Sequence, residues 1–245
     1  MAKLSWIALP VAILLVFGAC GPSDGQEETQ TNDDPEQVKQ DVLADVWERV
    51  MQESDAEPKL PRDLETGDQY LTARVAANAE GYEVYYYLMD QPVPVDDPQL
   101  EDQAPHLIAD AIVFDSAEGA RAGVNYEPEM QTGQPADLGN GITGYMDAGA
   151  GSIRLVWHEG RWSFLIYQRN SEKAGDEMTE LARDIVEKLE QKRLPAPQEV
   201  GAGTFDMTGD GAAAHNLQWQ AENVVYSVRS RDHLQLIDIV ANMNE

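Results

Sequence analysis

The sequence predicts an α+β fold in which antiparallel sheet hairpins are covered by amphipathic helices. Two observations support this prediction. Apolar residues alternate with polar or small ones over 70–89, which is the period of half-buried strands. In the C-terminal half, a strand–turn–strand pattern followed by a helical pattern occurs twice, which indicates an internal hairpin–helix repeat. We therefore expect either one continuous antiparallel sheet or two similar sheets packed side by side.

A first helix is predicted from Pro35 to about Gln52. Asp34 suits the N-cap, Pro35 suits the first helical position, and Gln37 completes the spacing of a capping box. The apolar positions recur at the helical period and are Val38, Val42, Leu43, Val46, Trp47, Val50 and Met51. Residues 53–67 are predicted to form a loop.

The next elements are a hairpin, a strand and a short helix. The hairpin runs from Tyr70 to Met89 and turns at Glu80–Gly81, and a proline-rich acidic loop follows over 90–105. An apolar strand is then predicted over 107–114. A short helix capped by Ser116 should end at Ala122, and 141–146 is a candidate strand.

Each unit of the predicted repeat consists of a strand, a turn, a returning strand and a helix. The first unit comprises 153–157, 158–161, 162–166 and 176–192. The second comprises 217–219, 220–223, 224–228 and a final helix capped by Ser230. In this alignment Trp157 matches Trp219 and Phe164 matches Tyr226. The stretch 194–197 (LPAP) is predicted to be a short rigid connector between the units.

The first twenty residues have the architecture of an export signal. Lys3 precedes an uncharged apolar run of 14 residues over 6–19, which Pro10 interrupts and which ends at Cys20. This run is shorter than the roughly 20 residues that a membrane-spanning helix needs. Cys20 is the only cysteine in the chain, which excludes internal disulfides, iron–sulfur clusters and cysteine-rich zinc sites.

The sequence Phe17-Gly18-Ala19-Cys20 resembles the lipobox of bacterial membrane-anchored lipoproteins. The resemblance implies that signal peptidase II removes residues 1–19 after the Cys20 thiol has received a diacylglyceryl group, and a third acyl chain is often added. Two or more acyl chains suffice for stable anchoring. The expected location is the cell membrane, with the protein lipid-anchored and facing the extracytoplasmic side.

The domain organisation follows from composition. Residues 1–19 are the predicted lipoprotein signal peptide, and 20–34 are an acidic flexible tether, because 21–34 contain no large apolar side chain that could fold. Residues 35–245 are the predicted globular region. This region is either one unit or two subdomains, over 35–130 and 131–245.

The chain carries 17 Lys and Arg against 44 Asp and Glu, for a net charge of −27. This charge excludes a nucleic-acid partner, because phosphate backbones are bound by clusters of Lys and Arg. A surface this acidic resembles the surfaces of proteins from halophiles or alkaliphiles. The alternative explanation is specific binding of a cation or a cationic polymer.

Local motifs for catalysis, cofactors and metals are absent from the sequence. The histidines His106, His158, His215 and His233 lack metal-ligand spacing, and His158 is predicted in an exposed turn. The stretch 206–211 departs from a calcium loop because Thr208 stands at its third position, so a glycine-rich turn is predicted. We expect no cofactor and no metal.

Aromatic residues on the predicted strands supply the one candidate ligand site. Tyr86, Trp157, Trp162 and Trp219 either line a pocket for a lipid or a peptide, or pack beneath the helices. Three functions remain open. The favoured one is a non-catalytic envelope lipoprotein that binds a protein or a cell-wall component. The alternatives are a carrier of a lipid or other hydrophobic ligand, and an envelope enzyme without a local motif.

Overall fold

A computed structural model describes residues 34–130, 132–209 and 215–243. The helices in these ranges are α1 (Pro35–Glu53), α2 (Ala117–Gly123), α3 (Ala174–Gln191) and α4 (His233–Asn242). The strands are β1 (Tyr70–Asn78), β2 (Gly81–Met89), β3 (Leu107–Val113), β4 (Gln134–Asp137), β5 (Thr143–Gly149), β6 (Ser152–Glu159), β7 (Trp162–Arg169), β8 (Gly201–Asp206), β9 (His215–Ala221) and β10 (Val224–Ser230). The predicted signal peptide, Cys20 and the tether up to residue 33 lie outside the described residues.

The ten strands form one sheet in the order β1-β2-β3-β10-β9-β8-β7-β6-β5-β4. All neighbouring strands pair antiparallel except β7 and β8, which are parallel because the chain crosses over through α3 between them. The sheet is continuous from the N-terminal strands to the C-terminal ones through the pairing of β3 with β10. The α+β prediction is confirmed in this coarser form, as a mostly antiparallel sheet with helices.

The main core lies between the sheet and three of the helices. α1 packs on β1, α3 packs on β6 and β7, and α4 packs on β9 and β10. Alternate residues of each strand face this layer, such as Val224, Tyr226 and Val228 of β10. α2 packs on the opposite face, where a smaller cluster forms around Val225 and Ala202. Three helices therefore share one face of the sheet, and most of the buried apolar area lies beneath them.

The start of α1 agrees with the sequence prediction in its cap but not in its capping box. The Asp34 carboxylate accepts a hydrogen bond from the Glu36 backbone N–H at 3.1 Å. The Gln37 side chain donates instead to Asp41 of its own helix, at 2.8 Å, so the predicted capping box was wrong. Met51, predicted on the apolar face, is 60% exposed.

The second hairpin of the C-terminal half is longer than predicted. β9 begins at His215 and ends at Ala221, so the turn consists of Glu222 and Asn223 alone. α4 is capped by Asp232, whose carboxylate accepts from the Gln235 N–H at 2.8 Å. The predicted cap, Ser230, accepts instead from the Asp232 N–H, so this prediction was wrong by two residues.

Both free edges of the sheet are protected by proline or by a loop. Along β1, the Asp96 N–H donates to the Ala73 carbonyl and the Asp96 carboxylate accepts from the Val75 N–H, each at 2.9 Å. The segment that makes these contacts also carries Pro94. At the other edge, β4 is four residues long and contains Pro135, which has no N–H to donate.

Within the described ranges, α1 is the longest helix at 19 residues, and none of the helices combines the length and the apolarity needed to cross a bilayer.

Candidate functional site

The four aromatic residues predicted as a candidate ligand site lie in the packed layer beneath the helices. Their exposed fractions are 0% for Tyr86, 1% for Trp157, 7% for Trp162 and 2% for Trp219. The indole N–H of Trp157 donates to Glu159, and that of Trp162 donates to the Pro195 carbonyl. The sequence left open whether these side chains line a pocket or pack beneath the helices. Their low exposed fractions are those of packed core residues. Cys20, the predicted lipid attachment site, lies outside the described residues.

The tryptophans are stacked with other rings rather than arranged around a cavity. Trp157 and Trp162 both stack with Phe164, with ring centroids 5.0 and 6.0 Å from it. The neighbouring strand β8 has Gly203 beside Phe164 and Gly201 beside Trp162. A Cβ at Gly203 would lie 2.5 Å from the Phe164 ring, so the glycines make room for the stack. Trp219 stacks separately on Tyr226, at 5.4 Å.

A cleft of about 690 Å³ opens where strands β8, β9 and β10 end, beside α3 and α4. Its described lining consists of Leu181, Asp206, Met207, Gly209, His215, Arg231 and His233. This volume lies within the range that small-molecule sites occupy. Leu181 and Met207 supply an apolar wall. The polar groups come from four different segments: the carboxylate from the end of β8, one imidazole from β9, the guanidinium from the turn after β10, and the other imidazole from α4. The cleft therefore combines an apolar wall with groups of both charges, and we take it as the candidate site.

Two histidines form one side of the cleft. The rings of His215 and His233 lie edge to face, with centroids 5.6 Å apart. The His215 ring also packs against Phe205 at 5.8 Å and is 8% exposed. Burial, and then the neighbouring His233, lower the pKa of His215, while Asp206, Asp232 and a bond to the Arg231 backbone act in the opposite direction. His215 is thus neutral at pH 7.

One ring nitrogen of His215 has no hydrogen-bond partner. Its Nδ1 is buried and lacks a partner within the described residues. A neutral imidazole carries one proton, on either nitrogen, whereas a protonated imidazole carries a proton on both. Protonation of His215 therefore requires an N–H at this buried position, and a buried donor without an acceptor costs free energy.

The carboxylate of Asp206 is held in place by its neighbours. It accepts from the Thr208 backbone N–H at 2.7 Å. Burial alone would raise the pKa of Asp206, but hydrogen bonds from Thr208 and from the Tyr167 hydroxyl lower it overall. Burial and the same contact raise the pKa of Tyr167 to about 12. Asp206 is therefore an ionised group with its acceptor sites already engaged, which suits shaping of the cleft rather than proton transfer.

A third histidine lies next to the same turn between β10 and α4. The Nε2 of His106 is buried and has no hydrogen-bond partner within the described residues. Burial lowers the pKa of His106, Arg231 lowers it further, and Asp232 raises it in part. His106 immediately precedes β3, whose Leu107 pairs with Ser230 of β10, and Ser230 pairs in turn with His215. The strand register thus brings His106 and His215 to the two sides of residues 230–233.

The fourth histidine lies elsewhere, and its predicted position was wrong. His158 belongs to β6 rather than to a turn, because the strand continues to Glu159. Its Nε2 lies 2.8 Å from the Glu127 carbonyl, and its ring packs against Tyr126 at 5.6 Å. In the part of the chain that the structure describes, no three His, Cys, Asp or Glu side chains are grouped so that they could hold a metal ion.

The sequence could not identify the cleft. His106, His215 and His233 are far apart in the chain, and no spacing connects them. The stretch that was predicted as a glycine-rich turn does end in the cleft lining at Gly209, but residues 210–214 lie outside the described ranges. The chain matches no protein-family model, no curated protein and no solved structure.

Proposed function

We propose that this protein is a cell-envelope lipoprotein, anchored through acyl chains on Cys20, whose folded domain binds a ligand without transforming it. The observation that carries the anchoring part is the position of the single cysteine at the end of an uncharged apolar run. The acidic tether up to residue 34 then separates the bilayer from α1, the first element of the domain. The chain as a whole has a net charge of −27, and this excess of acid disfavours contact between the domain and anionic lipid headgroups.

The binding part of the proposal is supported by the histidine-lined cleft. It combines an apolar wall from Leu181 and Met207 with polar groups of several segments, which is the composition of small-molecule sites. The apolar wall also favours the second candidate, a carrier of a hydrophobic ligand. In that case the ligand would lie in this cleft, because the layer beneath the sheet is filled by packed aromatic rings.

Binding is favoured over catalysis by the positions of the perturbed carboxyl groups. Burial raises the pKa of Asp110 and of Glu159, which is the usual condition of a general acid. Asp110 is on β3 and Glu159 is on β6, five strands apart in the sheet, or about 24 Å at the usual strand spacing. Each is paired with a neighbour, Arg229 and Trp157 respectively. The two carboxyl groups are therefore too far apart to act on the same substrate atom.

We also propose that β6-β7-α3 and β9-β10-α4 are two copies of one hairpin–helix unit. Both hairpins turn through two residues, and the first of these has positive φ in each, 62° at Gly160 and 54° at Glu222. Trp157 pairs in register with Phe164, and Trp219 with Tyr226, as the sequence alignment requires. Double-mutant cycles on the two aromatic pairs should give similar coupling, about 0.5–1.5 kcal/mol each. Coupling in one pair alone would argue against the repeat.

Lipid attachment is tested by growth of expressing cells with a radioactive fatty acid. The wild type should be labelled and Cys20→Ser should not, whereas Ser23→Ala, three residues further on, should be labelled like the wild type. Equal labelling of the wild type and Cys20→Ser would refute the anchor.

Ligand binding is tested by native mass spectrometry of the full chain released from membranes. A co-purifying mass should be lost in Met207→Glu and retained in Met51→Glu, because Met51 is an exposed residue of α1.

A further inference from the structure

The turn between β10 and α4 lies beside the buried ring of His215. The ring packs against Phe205 of β8 and His233 of α4, and it lies near the Arg231 backbone. Four charged or titratable groups face it: Asp206 from the end of β8, Arg231 and Asp232 from the turn, and His233 from α4. From α3, the side chain that reaches the cleft is the apolar Leu181.

Protonation of His215 would change this packing. The protonated ring carries a proton on Nδ1, and this atom is buried and faces no acceptor within the described residues. A buried donor without an acceptor is costly, and a buried cation more so. The charge would also lie next to the His233 ring, 5.6 Å away. The charged ring is stable only if water or another acceptor can reach Nδ1.

We propose that His215 couples proton uptake to opening of the histidine-lined cleft. In the neutral form, the ring at the start of β9 packs against Phe205 and His233. In the protonated form, the turn 230–233 and the first turn of α4 separate from β9, so that Nδ1–H reaches solvent. The consequence for binding rests on the proposed function: a ligand held in the closed cleft is released on acidification. The opening itself needs no ligand.

The direction of the effect follows from the surroundings of the ring. An imidazole in water titrates near pH 6.5. Burial and His233 move the pKa of His215 downward, against the opposing action of Asp206 and Asp232. Opening should therefore be negligible at pH 7.5 and should increase as the pH falls below about 6.5.

Hydrogen–deuterium exchange of the full chain in nanodiscs, at pH 7.5 and pH 5.0, tests the proposal. After correction for the intrinsic exchange rate, peptides covering 230–240 should exchange at least about fivefold faster at pH 5.0 in the wild type. His215→Phe keeps the ring packing against Phe205 and cannot be protonated, so it should lose this acceleration. His158→Gln is the matched control, because His158 lies on β6, and it should retain it. Unchanged exchange in the wild type, or acceleration that persists in His215→Phe, would overturn the proposal.

A second measurement avoids variants altogether. Exchange of the histidine C2 proton, followed by mass spectrometry, reports the pKa and the accessibility of each ring in the wild type. His215 should titrate below 6.5 and exchange more slowly than His233. Titration of His215 at or above 6.5 would refute the coupling. This result is independent of whether a ligand co-purifies, so failure of the proposed ligand site and failure of the proton coupling are distinguishable.

Discussion

The guanidinium of Arg229 on β10 lies 2.8 Å from the carboxylate of Asp110 on β3. These two strands join the N-terminal meander to the rest of the sheet. Glu83 of β2 lies 3.2 Å from the same guanidinium, and the Asp110 side chain is 15% exposed. The ion cluster therefore spans three strands at the position where the two halves of the sequence meet.

Arg229→Met should lower the free energy of unfolding by about 1–3 kcal/mol, because it leaves the Asp110 carboxylate largely buried without its cation. The measurement is urea unfolding at pH 7. Arg121→Met is the matched control, since Arg121 pairs with Glu199 where both side chains are more than half exposed. That change should stay within about 1 kcal/mol. Equal effects of the two variants would contradict the structural role assigned to Arg229.

Ile185→Ala should lower the free energy of unfolding by about 2–5 kcal/mol, because Ile185 of α3 is fully buried beneath the sheet. Leu181→Ala, one turn earlier, should have a smaller effect, because Leu181 is only partly buried and lines the cleft. The exposed Glu187 of the same helix provides a control for helix propensity. A larger loss in Leu181→Ala than in Ile185→Ala would be inconsistent with this packing.

Gly203→Ala should be destabilising by about 1–3 kcal/mol even though alanine is the smallest side chain. Its Cβ would lie 2.5 Å from Phe164, and that ring is stacked with both Trp157 and Trp162. Gly149→Ala is the control, because a Cβ there meets no atom within 4 Å. Thermal unfolding should separate the two variants, and similar melting temperatures would mean that the aromatic stack can move.

Tyr86→Phe and Tyr82→Phe should differ in their effects on the free energy of unfolding. The Tyr86 hydroxyl is buried without a hydrogen-bond partner within the described residues, so its removal should leave stability unchanged or raise it by up to about 1 kcal/mol. The Tyr82 hydroxyl donates to the Lys59 carbonyl and accepts from the Lys59 N–H. Its removal should cost about 1 kcal/mol or more. A clear loss in Tyr86→Phe would show that this hydroxyl has a partner, such as a bound water.

His106 should make the folded state less stable on acidification. Burial lowers the pKa of His106 in the folded chain below its usual 6.5, so the unfolded chain binds more protons between those two values. Its contribution to stability is therefore fully present above pH 6.5 and is lost as the pH falls through the folded pKa. Because the many carboxylates also titrate on acidification, the quantity to measure is the difference between the wild type and His106→Gln. That difference should shrink between pH 7.5 and pH 5.5, and a difference that grows would contradict the sign.

The sequence predicted the elements whose pattern is local. The helical period of α1 and α3, and the alternation in β1 and β2, were sufficient to predict those elements. β8 was missed because Gly201 and Gly203 lower its strand propensity. Glycine is required at these two positions because a Cβ would collide with the Trp162 and Phe164 rings on the neighbouring strand. β4 was missed because it is short and contains Pro135.

The candidate site was beyond sequence prediction for a different reason. The aromatic residues that the sequence singled out are large and apolar, and such residues are the ones that a sheet covered by helices buries. The cleft residues His215 and Arg231 come together only because β9 and β10 pair with His215 opposite Ser230. Strand register, which the hairpin turns determine, is not readable from any single residue of the cleft.

If the protein is anchored to a membrane as proposed, the protection of both sheet edges has a further consequence. Lipid-anchored chains move in two dimensions, so their local concentration is far higher than in free solution, and neighbouring domains meet often. A long exposed strand would then recruit a second copy and start a fibril. Pro135 on β4, and the loop through Asp96 along β1, leave such a neighbour with few hydrogen-bonding groups to extend. Under the proposed anchoring, a ten-stranded sheet can therefore be displayed at high surface density without pairing edge to edge with its neighbours.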